Sequence, residues 1–198
     1  FNRKADGSLA ELPAMHVDTG MGFERLCMVL QGKTATYDTD IFTPFISIIE
    51  KTSGFTYKGS YNREAKQDIA MRVISDHIRA ICFTIADGQL PANSGAGYVI
   101  RRILRRAVRY YYSFLNIKTP FLHTLVAPLA KAFDDVFPEL IAQSAQVAKI
   151  IEMEEISFLN TLENGLKRFE NINVKEGVIS GVDAFELYDT FGFPIDLT

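Results

Sequence analysis

Four segments of this chain combine residue types and spacings that can do chemistry. In VDTGMGFER, residues 17–25, Gly20 and Gly22 alternate along an expected strand and keep one face clear of side chains, so a ligand can approach the backbone. Arg25 follows at the start of an expected helix, where a guanidinium and a helix N-terminus together favour a phosphate, and Asp18 can pair with an ammonium group. A tight strand-to-helix turn with a surface arginine accounts for the same glycines, and spacing alone does not separate the two. In RRILRRAVRYYY, residues 101–112, Arg101, Arg105 and Arg109 recur one helical turn apart with Arg102 and Arg106 beside them. That spacing places all five on one side, opposite Ile103, Leu104, Ala107 and Val108. Like charges so arranged repel, so either acidic side chains of neighbouring helices or phosphates must compensate them. Tyr110, Tyr111 and Tyr112 then divide between core and stacking surface.

The other two segments hold single short polar side chains. Asn93 in the small-residue loop PANSGAGY can read a base edge as both donor and acceptor, or serve as a turn or cap residue. Asp189 in LYDTFGFP can accept from an exocyclic amino group, or stand as a solvated or capping carboxylate. His16, His77 and His123 have no metal-ligand spacing, and His77 falls on the apolar face of an expected helix as a satisfied, partly buried residue.

Charge distribution sharpens the choice between these readings. The net charge is −3, yet the 46 residues from Gly88 to Phe133 hold five arginines and two lysines and no carboxylate. An acidic chain with one purely basic segment has concentrated its positive field, which suits a polyanionic partner such as nucleic acid. With 47% hydrophobic and 23% charged residues in 198, the chain can bury a core of one domain or a little more. No apolar run approaches the ~18 residues that span a bilayer. Cys27 and Cys82 lie far apart without a CxxC pairing, which argues against a disulfide scaffold or a cysteine zinc module and fits a reducing, cytoplasmic setting. The opening FNRKADGSLA has no apolar signal core and no initiator Met, and Pro194 near the end suits the first turn of a further helix. A piece of a longer protein is therefore expected.

The elements that must position these residues are mostly helices. Residues 1–14 are polar with a turn at Asp6-Gly7, a short strand is expected around Val17, and Phe23–Gln31 reads as a helix ended by Gly32. A helix is expected over Asp38–Lys51, stopped at Gly54, followed by an aromatic loop at 55–61. From Asn62 to Ala86 the positions Ile69, Ala70, Val73, Ile74, Ile78, Ile81, Cys82 and Ile85 recur at helical spacing. After the loop at 91–98, Val99, Ile103, Leu104, Ala107, Val108, Tyr111 and Leu115 form the stripe of a second helix. A third is expected over Phe121–Val136 with a bend at Pro128. The longest runs from Pro138 to about Asn171, with Leu140, Val147, Ile151, Leu159, Leu162, Leu166 and Phe169 on one face. A short helix carries Phe185, Leu187 and Tyr188 towards Gly192-Phe193-Pro194. The expected fold is mainly α: a helical bundle with a small strand-containing piece at its start.

Taken together, HVDTGMGFERLCMVLQG, YDTDIFTPFI, RVISDHIRAICFTIADGQLPANSGAGYVIRRILRRAVRYYY and LYDTFGFPIDLT resemble the alanyl-tRNA synthetases in the same order, over nearly the whole chain. The match is weakest in the long helix from 138 to 172. The resemblance implies that residues 1–31 are the C-terminal edge of a class II aminoacylation core, with 17–25 as its third motif. Arg25 would contact the ATP phosphates, Asp18 would bind the alanine ammonium, and Gly20 would keep the amino-acid pocket small. Residues 32–198 would recognise the acceptor stem of tRNA(Ala), with Asn93 and Asp189 bracketing a G·U wobble pair and Arg101, Arg102, Arg105, Arg106 and Arg109 contacting tRNA. A wobble pair leaves the guanine 2-amino group without its usual partner in the wide minor groove of A-form RNA, where a carboxylate can accept from it. The resemblance further implies ATP and Mg2+ for the complete enzyme, a zinc site outside this chain, no membrane partner, and no aminoacylation by the chain alone. An independent helical nucleic-acid-binding module without a catalytic role is the alternative, and it has no need of Asp18, Gly20 and Arg25.

Overall fold

A computed structural model describes residues 1–16, 20–172, 178–190 and 193. Asp18, the strand expected around Val17 and the helix expected to open at Pro194 lie outside the described residues. The chain divides into two compact units, Phe1–Ile41 and Phe42–Thr198.

The first unit opens with β1 (Asn2–Arg3) and β2 (Leu9–Ala10), paired antiparallel with Asn2 opposite Ala10 and Arg3 opposite Leu9. The Asp6-Gly7 turn makes this pairing. Gly7 has φ +83°, which a side chain would oppose, and the Asp6 carboxylate accepts from the Ser8 amide and hydroxyl at 2.9 and 2.6 Å. Those two bonds favour the charged form and hold the Asp6 carboxyl below its ordinary value. Helix α1 (Phe23–Leu30) follows Gly22. A 3-10 turn covers Thr36–Asp38, and Gln31 clasps Asp40, donating to Oδ1 at 2.6 Å while accepting from the Asp40 amide at 3.1 Å.

The second unit holds α2 (Thr43–Ser53), α3 (Lys66–Ala86), α4 (Gly95–Phe114), α5 (Val126–Ala132), α6 (Pro138–Glu170) and α7 (Gly181–Asp189). The helix expected from Asp38 starts at Thr43 instead. Pro44 lacks an N–H and is accommodated only in the first turn, and Gly54 ends the helix in the left-handed conformation at φ +76°. Pro128 likewise falls in the first turn of α5, where its missing N–H has no intrahelical partner to lose. The segment expected to bend there is accordingly a 3-10 turn, Leu122–Leu125, running into a short straight helix.

Helices α3, α4 and α6 pack on one another and enclose the core. Ile74, Ile78 and Ile81 of α3, Leu104, Ala107 and Val108 of α4, and Leu140 and Ile151 of α6 are fully buried. Each large aliphatic side chain among them contributes about 1.5–3 kcal/mol of transfer free energy. On α4 the buried face is rotated from the expected one: Ile100 is buried whereas Val99 is exposed and Ile103 only half-buried. On α7 only Leu187 is buried, and Phe185 and Tyr188 stand in solvent.

The expected stripe of α6 omits its most constrained side chain. Glu155 lies one turn beyond Ile151 on the same face and has no exposed surface. Its Oε1 accepts from the Tyr111 hydroxyl at 2.8 Å and from the amides of Phe121 and Leu122 at 2.8 and 2.6 Å. Its Oε2 accepts from the His123 amide at 3.0 Å and faces His123 Nδ1 at 2.9 Å. One carboxylate thus ties α6 to α4 and to the turn ahead of α5, satisfying backbone donors that no helix covers. Burial and the neighbouring carboxylate together push the Tyr111 hydroxyl well above its ordinary pKa, so it stays a donor.

Removing this carboxylate strands three amides and a phenol in a dry site. Glu155→Ala is expected to lower the unfolding free energy by about 3–5 kcal/mol, the range for breaking a buried charged network. Removing the solvent-facing Glu152, paired with Lys149 at 3.0 Å, should leave it nearly unchanged. Urea titration followed by circular dichroism compares the two, and equal stabilities would show that Glu155 clamps nothing.

Candidate functional site

In the first unit Gly20 and Gly22 lead directly into α1. Among the described residues, a Cβ placed on Gly20 would meet nothing within 4 Å, and one on Gly22 would meet only the Arg25 side chain, at 3.6 Å. Arg25 is exposed in the first turn of α1, with its stem laid over Gly22. The arrangement brings open backbone, the N-terminus of α1 and a guanidinium together, a donor set that fits a phosphate.

In the second unit the head of α4 is set by a close backbone approach. Gly97 lies in the first turn, and a Cβ there would fall 2.4 Å from the Leu90 carbonyl oxygen and 2.7 Å from Ala92 Cβ. The Ala92 amide donates to the Gly97 carbonyl at 3.0 Å, which straps residues 90–92 across the helix start. Gly95, at φ +60°, lets the chain enter the helix from that strap. Asn93 stands exposed on the loop so formed.

The five arginines are not equally exposed. Arg101 turns towards α6, where its Nε and Nη2 donate to Glu154 Oε2 and Oε1 at 3.1 and 2.6 Å, and its Nη1 donates to Asn93 Oδ1. Arg105 also turns inward, its guanidinium 5.1 Å from the centre of the Phe158 ring and its Nε buried with no hydrogen-bond partner among the described residues. Loss of hydration there lowers the Arg105 pKa, with Glu154 acting in the opposite sense. Arg102 and Arg106 are the exposed pair, lying over Tyr98 and Tyr110 at 5.7 Å each. Arg109 is half-buried, with its guanidinium 5.4 Å from Tyr110. Of the two kinds of compensating partner expected for this face, an acidic side chain of a neighbouring helix is found for Arg101. At 100° per residue the five span an arc of about 140°, and α6 packs against its Arg101–Arg105 edge, so these two turn inward beside Glu154 and Phe158 while Arg102 and Arg106 stay in solvent.

Asp189 is exposed in the last turn of α7, where the helix dipole disfavours a carboxylate and no basic residue of that turn offsets it. Two contacts hold α7 on α6. Arg168 donates to Glu186 at 2.7 Å with Asp183 at 3.7 Å, and the buried Phe193 ring occupies the notch above Gly165, where a Cβ would fall 2.2 Å from it. Asn93 and Asp189 are therefore both tied to α6, through Glu154 and through Gly165 and Arg168, anchors ~16–21 Å apart at 1.5 Å per residue. The roles of Glu154, Glu155, Gly97 and Gly165 escape the pattern reading. Glu155 alone left a signal, a carboxylate at a stripe position of α6.

The family is decided by comparison with known proteins. All of residues 1–198 match the family model for class II tRNA synthetases (A). The chain is 62% identical over its full length to an alanine–tRNA ligase of Cytophaga hutchinsonii, and 58% identical to those of Flavobacterium psychrophilum and Christiangramia forsetii. The chain belongs to the alanine–tRNA ligase family of class II tRNA synthetases. It spans 23%, 23% and 22% of the length of these three ligases. Family membership agrees with the mainly α fold and with the resemblance of the four segments. Among the described residues no three His, Cys, Asp or Glu side chains converge as a metal site, and no helix is long and apolar enough to cross a membrane.

The strap at Gly97 makes a direct forecast. Gly97→Ala drives a methyl group into a carbonyl oxygen, and such overpacking typically costs about 1–3 kcal/mol. The variant is expected to lose stability in that range and to shift the amide resonances of residues 89–95, while those of α5 hold still. Unchanged loop resonances would show that the approach is not as tight as described.

Proposed function

We propose that this chain is the part of an alanine–tRNA ligase that completes the ATP and alanine site with its first residues and reads the tRNA(Ala) acceptor stem with its helical unit. The observation that carries the second half is the division of the α4 arginines. Glu154 already neutralises Arg101, while Arg102 and Arg106 remain exposed beside Tyr98 and Tyr110 in a stretch without a carboxylate. Phosphates of the stem would meet these two, with Arg109 flanking them, and set affinity and register without reading sequence. Asn93 and Asp189, short and exposed, would discriminate the G·U wobble pair. Asp189 is acceptor-only when ionised and suits the unpartnered guanine amino group. Meeting that donor would also offset its unfavourable place at the end of α7.

In the first unit Arg25 would hold ATP phosphates beside the open backbone at Gly20 and Gly22, Gly20 would border the alanine side, and Asp18 would take the ammonium group. ATP supplies the activated phosphoanhydride for the carboxylate of alanine. This chain's contribution is to orient the polyphosphate and to neutralise charge that builds on it. Mg2+ in the family chemistry would draw its ligands from outside the described residues, as would the zinc of the complete enzyme. Cytoplasmic placement follows from this role in protein synthesis.

The test of the helical unit is the salt dependence of binding between the 198-residue chain and an acceptor-stem minihelix carrying the G·U pair. Binding should exceed that of a DNA duplex of equal length. Arg102→Gln and Arg106→Gln each remove one phosphate ligand, and each should lower the log–log slope by about 0.7–0.9. A wild-type slope and affinity in the double variant would leave the helix a structural element.

For the first unit, Arg25→Ala in a full-length ligase carrying this chain should slow ATP–pyrophosphate exchange about 30- to 1000-fold, the effect of ~2–4 kcal/mol in the transition state. Minihelix affinity should be unchanged. Normal exchange would take Arg25 out of the ATP site.

A further inference from the structure

We infer that Arg101 is a positioning residue which, held by Glu154, fixes the Asn93 amide so that it turns its NH2 group to RNA as a donor. The inference rests on the acceptor-stem reading and deepens it by assigning a donor role to one side chain and an acceptor role to another.

A guanidinium has five N–H donors and no acceptor, so whichever amide atom faces it must be the carbonyl oxygen. Arg101 Nη1 meets Asn93 Oδ1, which leaves the Asn93 Nδ2 hydrogens pointing away from the guanidinium on an exposed loop. The guanidinium cannot swing to follow RNA, because Nε and Nη2 grip both oxygens of Glu154 in a fork at 3.1 and 2.6 Å. Both partners of that pair are mostly shielded from solvent, at 19% and 16% side-chain exposure. Glu154 is itself fixed, because its neighbour Glu155 is the buried clamp of α6. The strap across Gly97 holds the other end of the Asn93 loop.

An amide so oriented has one Oδ1 lone pair committed to Arg101 and its NH2 group turned outward. It meets RNA as a donor, and the acceptors that line the minor groove of a stem are purine N3, pyrimidine O2 and the ribose 2′-hydroxyl. Asp189 can only accept. The two side chains therefore have non-overlapping roles, which a freely rotating Asn93 would not. Arg101 accordingly leaves the set of phosphate ligands, its charge being committed to Glu154.

The experiment measures the preference of the 198-residue chain for a G·U over a G·C acceptor-stem minihelix, and its salt slope, in four proteins: wild type, Arg101→Gln/Glu154→Gln, Asn93→Ala and Asn93→Asp. The double variant removes the fork without changing net charge. It is expected to lose the preference to the extent that Asn93→Ala does, about 5- to 150-fold for a base-edge contact, with the wild-type slope retained. Asn93→Asp keeps an acceptor for Arg101 and abolishes the donor, and it is expected to lose the preference as well. Retained preference in the double variant, or a slope lowered by about 0.7–0.9 with both minihelices weakened alike, overturns the positioning role. Retained preference in Asn93→Asp overturns the donor role, and this variant sits on an exposed loop where folding is not at stake. If Asn93→Ala itself keeps the preference, the wobble-pair reading fails and the inference with it. If only Asn93→Ala loses it, that reading stands and the inference alone is wrong.

Discussion

A single buried carboxylate organises the helical unit. Glu155 collects the hydroxyl of Tyr111, the amides of Phe121, Leu122 and His123, and the ring of His123 around its two oxygens. A charge in that position would be ruinous without such partners, and the partners would be orphaned without the charge. The mutual dependence fixes three things together: the rotation of α6 about its axis, the distance of α4 from it, and the point at which the chain turns after α4. Apolar packing of α3, α4 and α6 supplies most of the free energy, but aliphatic faces tolerate rotation and sliding in a way that five directed hydrogen bonds do not.

The surface chemistry inherits this geometry. With Glu155 turned inward, the preceding residue Glu154 is aimed at α4, where it captures Arg101. Arg105, one turn on, is drawn over Phe158. The arginines left outside, Arg102 and Arg106, lie along the other edge of α4. Further along the same helix, Gly165 provides the notch for Phe193 and Arg168 the ion pair for α7. The long helix α6 thus serves as a ruler on which the candidate recognition side chains, Asn93 and Asp189, are hung at fixed intervals. This suits a ligand that is itself a rigid helix, such as an RNA stem, because two rigid bodies match at several points only if their spacings are set in advance.

What could be read from sequence was the local physics. The apolar repeat of α3 appears in the chain as Ile74, Ile78, Ile81 and Ile85, and these are buried as expected. The start at Pro138 and the stop at Gly54 follow from residues with strong conformational preferences. The basic segment and the order of the four motifs pointed to the family without any knowledge of the fold. What stayed hidden were partners far apart in sequence. Arg101 and Glu154 are 53 positions apart, Tyr111 and Glu155 are 44, and no periodicity links them. The rotation of α4 that buries Ile100 and not Val99 is a tertiary choice between two plausible stripes. Gly97 and Gly165 look like ordinary weak points of a helix until the groups pressed against them are seen.

In the proposed function, helix α6 sets in advance the spacing of the side chains that would read the stem. Titrating the isotopically labelled 198-residue chain with the G·U acceptor-stem minihelix and following its amide and arginine side-chain resonances tests this most directly. The prediction is that shifts concentrate on residues 92–98, the Arg102 and Arg106 side chains and residues 188–190. The Glu155 cluster at Phe121, Leu122 and His123 should keep its resonance positions, as a rigid support must. Shifts spread through that cluster, or confined to the groove between Tyr112, Lys118 and Asn160 on α6, would contradict the claim.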